Sequence, residues 1–194
     1  MSDLSASGVE LPDLDLLKKF DIPAPRYTSY PTADRFTSAL TAEDYEEALR
    51  NRENEKNKRA LSVYVHIPFC NDVCYYCGCN KIVTRDHDRA TGYLDVIAKE
   101  ADLVKQHLTG DTEIEQLHFG GGTPTFLTNE ELERVMSIIR TRFPLQKGGE
   151  FSIEVDPRCC PKDKVEKLAE LGLNRMSLCL LYTSPSPRDK RQSR

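Results

Sequence analysis

Four of the chain's seven cysteines stand within ten positions, at Cys70, Cys74, Cys77 and Cys79, in the stretch HIPFCNDVCYYCGCNK. The first three have the spacing C-x3-C-x2-C. A loop this short turns three thiolates onto one compact object. Zinc is one candidate, but it takes four ligands, commonly from two knuckles a dozen or more residues apart. No second knuckle follows here, so Cys79 would have to complete the set inside one tight loop. An iron–sulfur cubane is the other, since a single loop grips three corners and leaves the fourth iron open. Ordinary buried, inert thiols are the third reading. Cys159 and Cys160 are neighbours and form no unstrained disulfide with each other. Cys179 lies in an apolar run. Burial suits all three.

GGGTP, residues 120–124, offers a second chemical feature. Without side chains, its backbone comes close to a ligand and presents amide and carbonyl groups to it. A tight strand-to-helix turn is the plainer alternative. Glu154, in IEVDP, places a carboxylate where it would accept from ribose hydroxyls or an ammonium, or remain a solvated or paired acid. His66, His87, His107 and His118 show no metal-ligand spacing, and packing is expected of His66 and His118.

The elements that position these groups alternate. LSVYVHI (61–67) is apolar and β-branched and is expected to be a buried strand. Residues 89–108 carry Ala90, Tyr93, Leu94, Ile97, Ala98, Val104 and Leu108 on one helical face. IEQLHF (114–119) is a second strand. Thr128 and Glu131 form a capping box ahead of a helix whose stripe is Leu132, Val135, Met136, Ile139 and Phe143. EFSIEV (150–155) is a third strand, PKDKVEKLAEL (161–171) a third helix closed by Gly172, and NRMSLCLL (174–181) a fourth strand. Strict alternation predicts an α/β fold with parallel pairing and helical crossovers. The cysteine loop, the glycine triplet and DPR each follow a strand and so share the sheet's carboxyl rim, where such folds gather their chemistry.

The rest of the chain is less informative. Residues 1–60 read as a polar N-terminal arm and helix. The arm is the proline-bearing DIPAPRYTSYPTADRF, and the helix begins with Thr41 as cap and Asp44 in its first turn. Hydrophobic residues make up 39% of the 194 and the net charge is −4, so no strong field draws the chain to nucleic acid or an anionic membrane. No stretch has the ~20 apolar residues of a membrane span, and no signal peptide opens the sequence. A cytoplasmic location is expected, where seven thiols argue for a metal, a redox cofactor or burial over a disulfide framework.

C-x3-C-x2-C after a strand, followed by GGGTP, resembles the radical S-adenosylmethionine (SAM) superfamily. Within it, RYTSYPTADRF, YVHIPFCNDVCYYCGCNKIVTRD, LHFGGGTPTFL and SIEVDPR resemble the oxygen-independent coproporphyrinogen III oxidase (coproporphyrinogen dehydrogenase) family, from about Arg26 to Ser177. The resemblance implies an incomplete (β/α)6-type partial TIM barrel over residues 61–177, with about four parallel strands and three helices. It implies that Cys70, Cys74 and Cys77 hold a 4Fe–4S cluster whose open iron binds SAM. Tyr64, Tyr76, Gly121, Gly122, Thr123 and Glu154 would contact SAM, of which the family is described as binding two molecules. Cys79 belongs to the motif without being a ligand. The implied reaction is SAM-radical hydrogen abstraction and oxidative decarboxylation of two propionates of coproporphyrinogen III to vinyl groups, giving protoporphyrinogen IX for haem. A flavodoxin- or ferredoxin-type electron donor, a monomeric state and no nucleic-acid or membrane partner complete the expectation. A radical SAM haem chaperone and a structural zinc module are the alternatives. The chaperone branch generally lacks the RYTSYPT arm and the CGCNK ending that this chain has.

From Leu178 the sequence departs from the family, which has a SAM-contacting glutamine where Leu181 stands. Residues 178–194 are expected to be an aberrant, disordered tail on an N-terminal fragment. A partial sheet with an open edge and an uncovered apolar face is expected to leave the 194-residue chain poorly stable and inactive.

Overall fold

The computed structural model describes residues 13–21, 32–56, 58–74, 77–109 and 112–178. Backbone contacts divide the chain into two units, Met1–Thr41 and Ala42–Arg194. The first contains α1 (Leu14–Phe20) and a 3-10 turn at Ala33–Arg35. Asp13 caps α1, its carboxylate accepting the Asp15 N–H at 3.1 Å. That cap is the one signal of a helix in a segment otherwise read only as polar. The extended arm expected over residues 21–36 falls largely outside the described residues, as do Tyr76, Cys179 and everything after it.

In the second unit α2 (Ala42–Glu53) opens directly after Thr41. Then come β1 (Leu61–Ile67), a short pair of strands described with the site, α3 (Asp88–Gln106), β4 (Ile114–Gly121), α4 (Asn129–Arg140), β5 (Leu145–Val155), α5 (Lys162–Glu170) and β6 (Arg175–Leu178). The four long-range strands pair in parallel, as the alternation predicts, and lie in the order β1-β4-β5-β6. β4 runs on into the glycine triplet, and β5 begins before the expected Glu150. The Thr128–Glu131 capping box is present in full.

Side chains alternate between the two faces of a strand, and here the faces differ sharply. Val65 and Ile67 of β1, Leu117 and Phe119 of β4, and Ile153 and Val155 of β5 join one core with Leu94 and Ile97 of α3, Val135 and Ile139 of α4, and Leu168 of α5. Burial of each such side chain contributes roughly 1.5–3 kcal/mol. All five stripe residues expected for α4 are buried, and Ala101 adds to the α3 stripe. The opposite face carries Ser62, Tyr64 and His66, then Gln116 and His118, then Ser152 and Glu154, then Arg175 and Ser177.

Two expectations are corrected here. β1 is half-buried, with Tyr64 57% exposed, and is not a strand buried on both faces. The sheet face opposite that core is polar, where an uncovered apolar face was expected. The reason lies in the period-2 pattern, which collects polar residues on the side that points inward when such a sheet curls into a barrel. Apolar surface is exposed instead on edge strand β6, at Met176 and Leu178. Among the described residues no helix is long and apolar enough to cross a membrane.

Candidate cofactor site at the carboxyl rim of the sheet

After Ile67 the chain passes through Pro68 into β2 (Phe69–Cys70), and β3 (Ile82–Val83) returns to pair with it, Phe69 opposite Ile82 and Cys70 opposite Val83. The Ile82 N–H donates to the Pro68 carbonyl at 2.7 Å and the Thr84 N–H to the Cys70 carbonyl at 2.9 Å. The loop bearing Cys74, Cys77 and Cys79 is therefore tied at its neck. Sequence reasoning missed this tie. Its only signal is the β-branched pair Ile82–Val83, too short to mark a strand.

β4 brings the glycine triplet against this neck. The Gly122 N–H donates to the Ile67 carbonyl at 2.8 Å and the Thr123 N–H to the Phe69 carbonyl at 2.9 Å. The Thr123 hydroxyl donates to Cys70 Sγ at 3.4 Å. Gly121 has φ +114°, a conformation that L side chains rarely adopt. A Cβ on Gly122 would come within 2.7 Å of the Pro68 carbonyl oxygen and 2.8 Å of Cys70 Sγ. The Gly121 N–H donates to Glu154 Oε2 at 3.3 Å. All three amides are thus engaged inside the protein. An amide contact with a ligand was among the expectations; these three N–H groups already have acceptors within the protein.

A cleft of about 360 Å³ opens between these parts. Cys74, Cys77 and Cys79 line one wall, Gly121, Gly122 and Thr123 another, and Glu154 and Asp156 a third. Cys70 lies buried beside it. Tyr64 is not on its lining. It stands on the open polar face, its hydroxyl 3.2 Å from His66 Nδ1 and its ring 5.8 Å from that of His118. His66 Nε2 lies 2.9 Å from the Asn80 carbonyl oxygen. A carbonyl only accepts, so Nε2 carries the proton and the Tyr64 O–H donates to Nδ1. This places His66 and His118 in a polar network, where simple packing was expected, and ties Tyr64 to the far end of the cysteine loop. Asn71 Nδ2 donates to Cys159 Sγ at 3.3 Å, joining the loop to the 3-10 turn Pro157–Cys159 that follows β5.

The thiols have different electrostatic surroundings. The backbone N–H of Cys79, with Lys81 nearby, holds the Cys77 thiol below its usual range against opposing burial. Burial pushes Cys70 up, partly offset by Thr123. Burial and then the neighbouring Cys77 push Cys79 up. Of these two neighbours Cys77 is thus the more readily ionised and Cys79 the less. Arg158 forks onto Asp156 at 2.6 and 3.0 Å and holds that carboxyl low against opposing burial. Among the described residues no three Cys, His, Asp or Glu side chains converge as ligands of a single metal ion. A second groove, of about 320 Å³, lies between α2, β1 and α3, with no thiol in its walls.

Residues 64–191 match the radical SAM superfamily, a span that includes part of the tail beyond Leu178. The chain is 46% identical over 168 residues to an oxygen-independent coproporphyrinogen III oxidase of Pseudomonas aeruginosa, covering 86% of this chain and 36% of the relative. It is 44% identical over 166 residues to the enzyme of the same name from Escherichia coli K12, covering 86% and 35%. A solved structure, described as the radical SAM enzyme coproporphyrinogen III oxidase (HemN) of Escherichia coli, superposes with a TM-score of 0.71 at 42% identity, over 86% of this chain and 36% of that one. The chain thus spans about a third of the length of the curated relatives it matches. With its parallel sheet, its rim-mounted thiols and a match over residues 64–191, the chain belongs to the radical SAM superfamily.

Proposed function

We propose that this chain forms the cofactor-binding part of an enzyme that oxidatively decarboxylates two propionate side chains of coproporphyrinogen III to vinyl groups, giving protoporphyrinogen IX. One observation carries the cofactor assignment: the cysteine loop, the glycine turn and Glu154 meet at a single cleft. The substrate assignment rests on the likeness to the named oxidases.

The residues fit a 4Fe–4S cluster with SAM. Cys70, Cys74 and Cys77 supply three thiols on a tied loop, and Gly122 leaves room beside the Cys70 sulfur that a methyl would fill. When bound, the cluster and SAM supply one-electron cleavage of a sulfonium and, through it, hydrogen-atom abstraction. The chain's own groups bind and orient. Glu154 and the carbonyls of Gly121 and Gly122 accept from the SAM ammonium, the Thr123 hydroxyl adds a polar contact, and Tyr64 borders the site from the open face. Tyr76 would lie against one of two SAM molecules. A flavodoxin- or ferredoxin-type donor supplies electrons to a cytoplasmic monomer. The 194-residue chain by itself is proposed to be poorly stable and inactive, because β1 and β6 present edges without a further partner among the described residues.

Anaerobic reconstitution with iron and sulfide tests the first half. About four irons per chain are expected, lost in C70S, C74S and C77S and kept in C79S, with SAM shifting the electron paramagnetic resonance of the reduced cluster. A colourless protein holding one zinc would overturn it. For the substrate, residues 32–178 replace the corresponding segment of the Pseudomonas aeruginosa relative. The chimaera should decarboxylate coproporphyrinogen III anaerobically with SAM and a reductant. A chimaera that binds cluster, SAM and haem without releasing carbon dioxide would refute it.

A further inference from the structure

Glu154 is addressed at both carboxylate oxygens. Oε2 accepts the Gly121 N–H at 3.3 Å, and Oε1 faces His118 Nε2 at 3.6 Å. The second distance is too long for a direct hydrogen bond, so the contact is electrostatic. His118 is itself fixed: Nδ1 lies 2.7 Å from Ser152 Oγ, and Tyr64 stacks on the ring with 24° between the planes. The parallel register sets the row, with Tyr64 opposite His118 and His118 opposite Ser152.

The polarity of this row follows from what each group can do. A carboxylate only accepts, so the ring nitrogen that faces Glu154 favourably is the protonated one. The single Ser152 proton has two acceptors in reach, the bare Nδ1 at 2.7 Å and the Leu117 carbonyl at 3.4 Å, and the shorter contact, which suits an O–H donor, takes it. The order Glu, His, Ser is that of a hydrolytic triad, but Ser152 is buried beneath the row, 5% exposed, and no nucleophile. It is an anchor for the ring.

We propose that His118 is a positioning residue for ligand binding at the rim. With Gly121 it clamps Glu154 from two sides, so that the carboxylate's remaining lone pairs point into the cleft at a cationic ammonium ligand. This rests on Glu154 being a contact of SAM.

The test uses the reconstituted full chain titrated with SAM, alongside nitrogen-15 spectra of the His118 ring in the cluster-free chain. H118N keeps an acceptor, its amide oxygen, near Ser152 but does not reach Glu154, whereas H118Q places an N–H close to where Nε2–H stood. About tenfold weaker SAM binding is expected for H118N and E154Q, with H118Q within about threefold of the parent and iron content equal in all. E154Q should also move the Nε2 resonance of His118 without cofactor present. H118N binding SAM like the parent while E154Q binds weakly would overturn the positioning role and leave the site assignment standing. E154Q binding like the parent would overturn both. Should H118N fail to fold, a His118 Nε2 resonance that ignores E154Q overturns the proposal by itself.

Discussion

Gly122 lies hard against Cys70: a methyl group at its Cα would come within 2.8 Å of the Cys70 sulfur. The other near neighbour is the backbone of Pro68, which cannot swing aside as a side chain tip would. Gly122→Ala is therefore expected to push the glycine turn off the neck of the cysteine loop, at a cost of about 1–3 kcal/mol. Thermal unfolding should show the loss of stability. Iron uptake on reconstitution should fall with it, because the displaced group is Cys70. A variant with parental melting temperature and full iron content would contradict the packing.

The thiols of the loop should differ in reactivity before any cluster is present. Cys77 is held low by the Cys79 backbone N–H, whereas Cys79 is pushed up by burial and by Cys77. Only the thiolate reacts with iodoacetamide. On the reduced, cluster-free chain, labelling of Cys77 should begin at a lower pH than labelling of Cys79, and at neutral pH Cys77 should be the first of the two to be modified. Peptide mapping of a time course reads the order. Equal rates for the two would show that the local hydrogen bond does not set the thiolate population.

Thr128 and Glu131 do more than start α4. Thr128 accepts the Glu131 N–H at 3.2 Å, and Glu131 returns the bond to the Thr128 N–H at 2.8 Å while also meeting His87 Nδ1 at 3.2 Å. His87 precedes α3 and stacks on Phe126, so one carboxylate links the starts of two core helices. T128A is expected to cost about 1 kcal/mol, and T128S much less. Chemical denaturation of both variants checks this, with equal losses for the two ruling out a cap.

The capping box was legible because its residues are local and its period is that of a helix. The same holds for the α4 stripe, whereas the parallel pairing followed from the alternation of strands and helices. The β2–β3 neck was not legible, since each strand is two residues long and its stability comes from Pro68 and Cys70 carbonyls that pattern reading does not see. The polar face was in the sequence all along, as Ser62, Tyr64 and His66 at every second position, but the apolar residues between them dominate a window average. Placing the cysteine loop, the triplet and Glu154 on one rim followed from topology. Which backbone groups remain for a ligand did not, because the hydrogen bonds that occupy the Gly122 and Thr123 amides run to Ile67 and Phe69, across the sheet.

Far from the rim, Glu53 should dominate an acid-sensitive part of the stability. It sits at the end of α2 and accepts from the Thr109 backbone N–H at 3.0 Å and from Lys58 Nζ at 2.9 Å. Burial alone would raise its carboxyl, but the Thr109 hydroxyl and amide and the Lys58 ammonium more than offset this and bring it from 4.5 to about 2. A carboxyl lowered in the folded state stabilises the fold above its unfolded value and loses that contribution as pH falls through the folded one. The contribution, on the order of 2 kcal/mol, should thus be complete above pH ~4.5 and disappear between ~4.5 and ~2. E53Q has no charge to lose there. Urea midpoints of the two proteins should differ most near neutrality and converge toward pH 2. Parallel curves over that range would mean that the Thr109 and Lys58 contacts bind the neutral acid as well as they bind the carboxylate.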